Sequence, residues 1–319
     1  YTRSLPCTLW FFDRAKEKDE AKKDKVLMLD ARKIYRKVTS KVNDFSPEQL
    51  QNLICIVNLY RGNTQKFEST VNGYLQTSTD LAKETAEATT ELQKQLLKVF
   101  KAVSDFATKY AKENKDAAGF VDSLQIEEYP EVLKMQTQLI EMVKKNQGNQ
   151  LITEITVQTK ALRKPQDKLI KQLLDAISTA AKEYQLSKNK DWKELGLKEQ
   201  LDQLKALQQQ LSGNPDEEEP GLLHETEYFY KQAHWLTSRF PEGVYTDVEG
   251  LCKVVNQKEI EAKDWSLSPG RYVGVDTSTD EDFDYEERLN EIHIELEGLN
   301  EEAIVLAKTI SENYKELAI

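Results

Sequence analysis

The decisive stretch of this sequence is WSLSPGRYVGV, residues Trp265–Val275. Because proline and two glycines stand among β-branched and aromatic residues, the stretch cannot continue a helix and predicts a tight, extended segment. Gly250–Val254, GLCKV, precedes it, and an acidic helical pattern follows it directly. We call Gly250–Val275 the strap, and we expect Gly270 and Gly274 to permit turns within it.

The segment after the strap carries the most regular apolar pattern of the chain. Apolar side chains recur in steps of three and four at Leu289, Ile292, Leu296, Leu299, Ala303, Leu306, Ile310 and Leu317, and only Asn313 interrupts the register. A stripe this narrow predicts a coiled-coil-like helix that packs against another long helix. Two partners stay open at this point: this chain's own helix of residues 80–110, or a different subunit.

Further helices are predicted upstream of the strap. The capping box Ser46-Pro47-Glu48-Gln49 begins one of them. Its expected apolar stripe comprises Leu50, Leu53, Ile54 and Val57. Residues from about Asp80 to Tyr110 show apolar recurrence every three or four positions and predict a long amphipathic helix. We expect Pro165 to lie near a join between two later helices, Leu223–Phe240 to be a buried, aromatic-rich helix, and antiparallel hairpins to be the general architecture.

Two short apolar runs, Thr8–Phe12 and Val26–Leu29, predict adjacent strands that are both largely buried. An isolated pair of strands cannot cover its own faces, so it would not be stable. The sequence therefore predicts that these strands belong to a larger sheet that the chain does not supply.

The formal net charge of −11 is unevenly distributed over the 319 residues. Residues 280–319 hold 13 acidic against three basic side chains, whereas residues 3–41 hold 12 basic against six acidic ones. A surface for DNA phosphates fits the N-terminal stretch better than the tail, although a solvated loop is the alternative explanation for Lys16–Lys25. No apolar run approaches membrane-spanning length, and the three cysteines are interpreted as reduced thiols of a cytoplasmic protein.

Recognisable catalytic motifs are absent from the sequence. It contains no glycine-rich dinucleotide or phosphate loop, no nucleophile elbow and no Cys-x-x-Cys pair. The segment His224–Tyr228 departs from the zinc pattern His-Glu-x-x-His at its last position, which is tyrosine. We therefore predict no catalytic, cofactor-binding or metal-binding residue in this chain.

Two groups of residues carry a family resemblance. The first comprises LPCTLWFFD (Leu5–Asp13), KVLMLDAR (Lys25–Arg32) and the helix from Ser46 to Gly62, and the second is the strap with the acidic helix that follows it. In this order they resemble the C-terminal portion of the modification subunit of type I restriction-modification enzymes, an N6-adenine DNA methyltransferase. The start of the chain at Tyr1 is interpreted accordingly as a truncation.

The resemblance implies a fold that is mainly α with a small β element. Residues 1–77 would hold the last strands and helix of a Rossmann-like methyltransferase sheet. Residues 78–245 would form a region of long helical hairpins, and residues 246–319 would form the extended strap and a coiled-coil-like, partner-binding helix.

The resemblance also implies a function within a larger complex. Two modification subunits, one DNA specificity subunit and an added restriction subunit act together on DNA, and the modification subunit transfers methyl from S-adenosylmethionine to adenine N6. The family's Gly-rich turn and its (Asn/Asp)-Pro-Pro-(Phe/Tyr) loop are absent here. This chain would therefore contribute assembly rather than catalysis, and it would bind neither S-adenosylmethionine nor a metal.

The expected contacts with the specificity subunit lie in the strap and in the terminal helix. They comprise Arg271 and Tyr272, which offer hydrogen-bonding and stacking groups, and Leu289, Ile292, Leu296, Leu299, Leu306 and Ile310. A freestanding helical adaptor that acts only in protein association is the alternative, and the heptads and acidic charge fit it. The two strands and the strap do not fit an adaptor, and an autonomous hydrolase or nuclease lacks a recognisable nucleophile or metal cluster.

Overall fold

The computed structural model describes residues 7–39, 42–114, 117–146, 151–214 and 219–275, together with residues 289, 292–293, 296–300 and 303–310. Two compact units are present. Unit 1 comprises Tyr1–Glu68 and Leu236–Ile319, and unit 2 comprises Ser69–Trp235. The structure is mainly helical, and its described strands form three small two-stranded sheets, which confirms the predicted fold class. Tyr1, Asn313 and Leu317 lie outside the described residues.

The elements follow one another in a simple order. The strands are β1 Lys25–Leu29, β2 Arg36–Lys37, β3 Asn43–Asp44, β4 Gly213–Asn214, β5 Glu219–Pro220 and β6 Cys252–Asn256. The helices are α1 Pro47–Tyr60, α2 Thr64–Glu113, α3 Ala118–Ser123, α4 Tyr129–Lys145, α5 Ile152–Glu183, α6 Lys190–Glu194, α7 Leu197–Ser212, α8 Leu222–Arg239 and α9 Gln257–Glu261. Short 3₁₀ turns occupy Arg14–Lys18, Leu186–Lys188 and Pro269–Arg271. The described residues beyond 288 are helical.

The main sheet of unit 1 pairs β1 with β6 in antiparallel orientation. Leu27 lies opposite Val254 and Leu29 opposite Cys252, and the Asp30 amide continues the ladder by donating to the Leu251 carbonyl at 2.8 Å. The predicted strand Val26–Leu29 is therefore confirmed. Its partner, however, comes from the strap.

The predicted strand Thr8–Phe12 is wrong. The segment has no strand geometry in the structure, and its side chains are exposed, with Phe11 and Phe12 about 90% accessible. An apolar run becomes a strand only when a neighbouring strand satisfies its backbone groups, and among the described residues the segment pairs with no strand.

Helix α1 begins where the sequence predicts. The Gln49 amide donates to Ser46 Oγ at 3.1 Å, and the Ser46 amide donates to Gln49 Oε1 at 2.9 Å, which completes the capping box. The predicted apolar stripe is only partly right, because Leu50 and Ile54 are about half exposed. The buried face instead comprises Asn52, Leu53, Cys55, Ile56, Asn58 and Leu59, and its two asparagines conceal it from a count of apolar residues.

Helix α2 contributes a long buried seam to unit 2. Leu92, Leu96, Val99 and Val103 have no exposed surface and join a hydrophobic core with residues of α4, α5 and α7. The predicted amphipathic helix of residues 80–110 is confirmed and extends further at its N-terminus.

Two predictions for the later helices need correction. Pro165 lies inside the continuous helix α5 rather than at a join. Leu162 and Leu169 on either side of it are fully buried in one core, and this packing outweighs the single backbone hydrogen bond that proline removes. In α8 the aromatic residues Tyr228 to Tyr230 are only half-buried, whereas Leu223 is fully buried.

Candidate interaction site

The strap and β1 form one small module within unit 1. Met28, Val255, Ile260, Tyr272 and Val273 are buried together, and Val26 and Leu267 pack against them. The sheet therefore has a hydrophobic layer that the strap supplies. The two ends of the sequence that carry the family resemblance meet in this module.

A close approach joins the KVLMLDAR motif to the strap. Arg32 Nε donates to Asp30 Oδ1 at 2.9 Å, and Arg32 Nη2 donates to Asp30 Oδ2 at 2.6 Å. A Cβ atom on Gly270 would lie 2.3 Å from Arg32 Nη2 and 3.1 Å from Asp30 Oδ2. A side chain at position 270 would therefore require the exposed Arg32 guanidinium to shift, and we call Asp30, Arg32 and Gly270 the clasp.

The clasp contains a buried carboxylate. The Asp30 side chain is 8% exposed, whereas that of Arg32 is 59% exposed. Burial opposes ionisation of Asp30, but hydrogen bonds from the Arg32 side chain and backbone outweigh it and hold the pKa of this carboxyl below its ordinary value. The ionised pair is thus the stable form of the clasp at neutral pH.

The two strap residues that were predicted to contact a partner have different surroundings. Tyr272 is 6% exposed, its hydroxyl donates to the Ser266 carbonyl, and the Lys263 ammonium lies 4.8 Å from its ring centroid. Arg271 is exposed, and its Nη1 donates to the Lys263 carbonyl at 3.4 Å. The Tyr272 ring therefore packs within the module, whereas the Arg271 side chain lies at its surface.

The strap closes on itself through one backbone hydrogen bond. The Gly250 amide donates to the Val273 carbonyl at 2.7 Å. Gly274 follows with a φ of +78°, which side chains other than glycine rarely adopt. Gly274 thus permits a turn through its backbone conformation, as predicted, whereas Gly270 lies in the 3₁₀ turn Pro269–Arg271 beside the Arg32 side chain.

The predicted partner-binding residues of the terminal helix form an exposed apolar face. We call Leu289, Ile292, Leu296, Leu299, Leu306 and Ile310 the terminal seam, and each of them is between 41% and 62% exposed. Ile304 and Val305, which lie outside this register, are also exposed. Exposed apolar residues at this spacing on a helix are typical of a site for another helix.

A second exposed apolar surface lies near the N-terminus and was missed from the sequence. It consists of Leu9, Trp10, Phe11 and Phe12, all more than 60% exposed, and we call it the N-terminal apolar segment. Sequence reasoning placed these residues in a buried strand. Their composition does indicate burial, but it does not say what covers them.

The chemistry available in the described residues is limited. Burial raises the pKa of the Cys252 thiol, which disfavours the nucleophilic thiolate. No group of three or more His, Cys, Asp or Glu side chains in the described part of the chain is placed to hold a metal ion. Among these same residues, no helix is long and apolar enough to cross a membrane.

S-adenosylmethionine binding requires a Gly-rich turn between a strand and a helix. The connection from β1 to α1, residues 30–46, contains no glycine, and β6 runs directly into α9 through Asn256. These strand-to-helix connections do not fit the cofactor, so no step of methyl transfer is assigned to them.

Comparison with known proteins gives one match. Residues 1–82 match the family model described as N-6 DNA Methylase, which supports a relationship of this chain to N6-adenine DNA methyltransferases. The matched residues include β1, the Asp30–Arg32 pair and α1, and they end before the strap. No curated protein and no solved structure matches the chain significantly.

Proposed function

We propose that this chain, whose residues 1–82 match the N-6 DNA Methylase family model, is the C-terminal part of the modification subunit of a type I restriction-modification enzyme. In the whole cytoplasmic complex the subunit methylates adenine N6 in DNA with S-adenosylmethionine. The described part contributes assembly with the specificity subunit and is not itself catalytic. The observation that carries the proposal is the family match at residues 1–82.

The N-terminal apolar segment supports the placement of this chain after a catalytic domain. Leu9 to Phe12 are all exposed, as expected of apolar side chains that the rest of a larger domain would cover. Leu50 and Ile54 add an apolar strip on α1. In our proposal these side chains pack against the rest of the methyltransferase domain.

The properties of the terminal seam support the proposal that a helix of another subunit binds there. Its heptad spacing favours knobs-into-holes packing against a long helix, and its exposure leaves it available for such packing. A second copy of the same helix is disfavoured, because residues 280–319 carry 13 acidic against three basic side chains and two copies would repel each other. We therefore propose the specificity subunit as the occupant.

The remaining partners are proposed from the family resemblance. They are a second modification subunit, the restriction subunit and DNA. The excess of basic residues between positions 3 and 41 supports DNA contact there rather than near the acidic tail.

Co-purification with the cognate specificity subunit tests the assembly role. The double variant Leu299→Asp plus Leu306→Asp places two carboxylates in the terminal seam and is expected to abolish co-purification, because each buried charge costs several kcal/mol, on the order of 3. The matched control is Ile304→Asp plus Val305→Asp, which adds the same charge to the same helix outside the seam. It should retain the partner.

The two double variants distinguish recognition through the terminal seam from a general effect of charge on the helix. Retention by both variants would contradict the terminal seam as the docking surface. Equal loss with both would indicate a general sensitivity to charge in this helix and would also contradict recognition through the seam.

Calorimetry tests the non-catalytic role. The chain is expected to show no heat of binding with S-adenosylmethionine, and micromolar affinity would overturn the proposal that the donor site lies elsewhere. A freestanding adaptor would explain the exposed seam equally well, but it does not account for the match at residues 1–82.

A further inference from the structure

Unit 1 is assembled from two separate parts of the sequence. Its first part is Tyr1–Glu68 and its second part is Leu236–Ile319, and unit 2, Ser69–Trp235, lies between them in the chain. Strand β1 of the first part pairs with β6 of the second, and Met28 of β1 is buried together with Tyr272 of the strap. Unit 1 therefore needs both of its parts, whereas unit 2 is one continuous stretch.

Each unit has a hydrophobic core built from its own residues. A large cluster of buried side chains has its members between Ala82 and Leu223, and all of them belong to unit 2. The cluster that joins the strap to β1, with members from Val26 to Val273, consists of residues of unit 1. A core of its own and a length of roughly 50–250 residues are properties of a domain that can fold separately.

The two parts of unit 1 meet close to the points where unit 2 begins and ends. Phe67, shortly before unit 2, and Phe240, shortly after it, are buried, and their rings pack edge to face with centroids 6.5 Å apart. Gly243 has a φ of +62°, and a Cβ atom there would lie 3.4 Å from the Phe67 ring. The end of the first part and the start of the second part are therefore neighbours.

The two ends of unit 2 are neighbours as well. Tyr74 of α2 lies against Phe229 of α8 with ring centroids 6.3 Å apart, and Ser78 Oγ donates to the Thr226 carbonyl at 2.7 Å. Thr85 continues this contact, with its Oγ1 atom 3.1 Å from Thr226 Oγ1. A domain whose ends lie side by side can be inserted at a single point of another domain.

The family match follows the same division of the chain. It covers the whole of Tyr1–Glu68 and ends at residue 82, so it includes only the first part of α2 within unit 2. The helices α3 to α7 lie outside the match. The relationship to methylases therefore concerns unit 1 far more than unit 2.

We infer that unit 2 is a helical domain inserted into the methylase-related unit 1, and that its folding and its function are separable from those of unit 1. The pairing of β1 with β6 and the hydrophobic layer of the strap are both formed by residues of unit 1. In the whole enzyme, unit 2 is then an accessory domain that methyl transfer does not require. This last point rests on the proposed function, whereas the separate folding of the two units does not.

Hydrogen exchange of the full chain, followed by mass spectrometry, tests separate folding. Leu96→Asp places a carboxylate in the fully buried seam of α2 and is expected to speed exchange in α4 and α5 by at least about a hundredfold, because unit 2 loses its core. Exchange in β1 and β6 should change less than about twofold. Equally accelerated exchange in β1 and β6 would overturn the inference, since it would show that the two units unfold together.

Two further variants complete the exchange experiment. Leu97→Asp is the matched control, because Leu97 is the next residue of α2 and is 45% exposed, and it should leave exchange in both units within about twofold of the wild type. Val255→Asp places the charge at a position of β6 that is 1% exposed. It should speed exchange in β1 and leave α4 and α5 protected, and loss of protection in α4 and α5 would also overturn the inference.

Excision of unit 2 tests the same point without an added charge. Glu68 is joined to Leu236 through about six Gly and Ser residues, which reach on the order of 20 Å and so exceed the roughly 8–10 Å between packed helices. Strands β1 and β6 should keep their protection within about twofold of that in the full chain. Exchange of these strands at the rate of an unfolded chain would contradict an inserted domain.

Methylation by the full-length modification subunit, assembled with its specificity subunit, tests the separation of function. The excision variant is expected to methylate DNA at a rate within about threefold of the wild type and with the same KM for S-adenosylmethionine. Loss of methylation despite protected β1 and β6 would show that unit 2 takes part in methyl transfer and would overturn the separable function. Failure of the wild-type subunit to bind a specificity subunit would instead contradict the proposed function, and the exchange measurements would still decide whether unit 2 is an inserted domain.

Discussion

Two helices of this molecule share one sequence pattern and differ in what covers it. In α2 the apolar seam is closed, and Leu92, Leu96 and Val99 have no exposed surface. In the terminal helix the residues of the seam, such as Leu299 and Leu306, are more than half exposed. Steps of three and four residues therefore predict that a face is suited to packing, but they do not predict whether the chain itself provides the partner.

The largest effect is expected when a charge is introduced into the buried apolar seam of α2. Leu96→Asp is expected to unfold unit 2 at room temperature, because an unpaired carboxylate in a fully buried position costs on the order of 5 kcal/mol. Thermal denaturation followed by circular dichroism measures the loss of helical signal. Retention of a cooperative transition near the wild-type temperature would show that the α2 seam is less tightly closed than its burial indicates.

A smaller but still large loss of stability is expected from a substitution at Glu227, the buried carboxylate among the described residues of α8. Glu227 is 6% exposed and lies within 3.5 Å of the charged nitrogens of Lys160, Arg163 and Lys231. Glu227→Gln would leave Arg163, itself 11% exposed, beside a neutral amide, at a cost of about 2 to 3 kcal/mol in the free energy of unfolding.

The matched control for this change is Glu91→Gln. Glu91 pairs with Lys94 at 2.7 Å on the surface of α2, where both side chains are at least 60% exposed. Chemical denaturation should detect a change below about 0.5 kcal/mol for this variant. Equal costs for the two substitutions would contradict the view that burial makes the Glu227 contacts important.

The clasp predicts a pH dependence for unit 1. Because the pKa of Asp30 in the folded state lies below its unfolded value, the stabilisation is complete above the unfolded pKa of about 3.9 and is lost as the pH falls through the folded pKa. Hydrogen exchange in β1 and β6 should therefore show a loss of module stability on acidification below about pH 4. Asp30→Asn should reduce this acid-dependent loss of stability. An identical pH profile of exchange in the variant and the wild type would contradict the assignment of the loss to Asp30.

The smallest effect is expected in the open seam. Leu299→Asp plus Leu306→Asp should change the free energy of unfolding of the isolated chain by less than about 0.5 kcal/mol, since both side chains are already exposed. Differential scanning calorimetry of the chain without partners measures this. A drop comparable to that of Leu96→Asp would show that the terminal seam packs within the chain and would remove the contrast between the two helices.

Local patterns predicted most of the helical structure. The capping box at Ser46 and the long helix through residues 80–110 both follow from side-chain chemistry within a few residues of each element. Pro165 misled the prediction, because the cost of one proline is local whereas the core that holds α5 straight is built from distant residues.

Contacts between residues that lie far apart in the chain could not be predicted from the sequence. Val26–Leu29 was recognised as a strand, but nothing in its composition indicates a partner more than 220 residues away. Gly270 was expected to permit a turn and does lie in the 3₁₀ turn Pro269–Arg271, but its close approach to the Arg32 side chain could not be predicted. The terminal seam was predicted by its spacing, and its role in partner binding stays a prediction.

The antiparallel pairing of β1 with β6 has a consequence for biosynthesis. β1 is synthesised before unit 2, but the strand that pairs with it emerges only after all of α2 to α8 has been made. Unit 2 is contiguous in sequence and can condense on its own during translation, whereas β1 stays without its β6 partner until residues 252–256 have been synthesised. The order of synthesis and the order of folding are therefore reversed for these two parts of the protein.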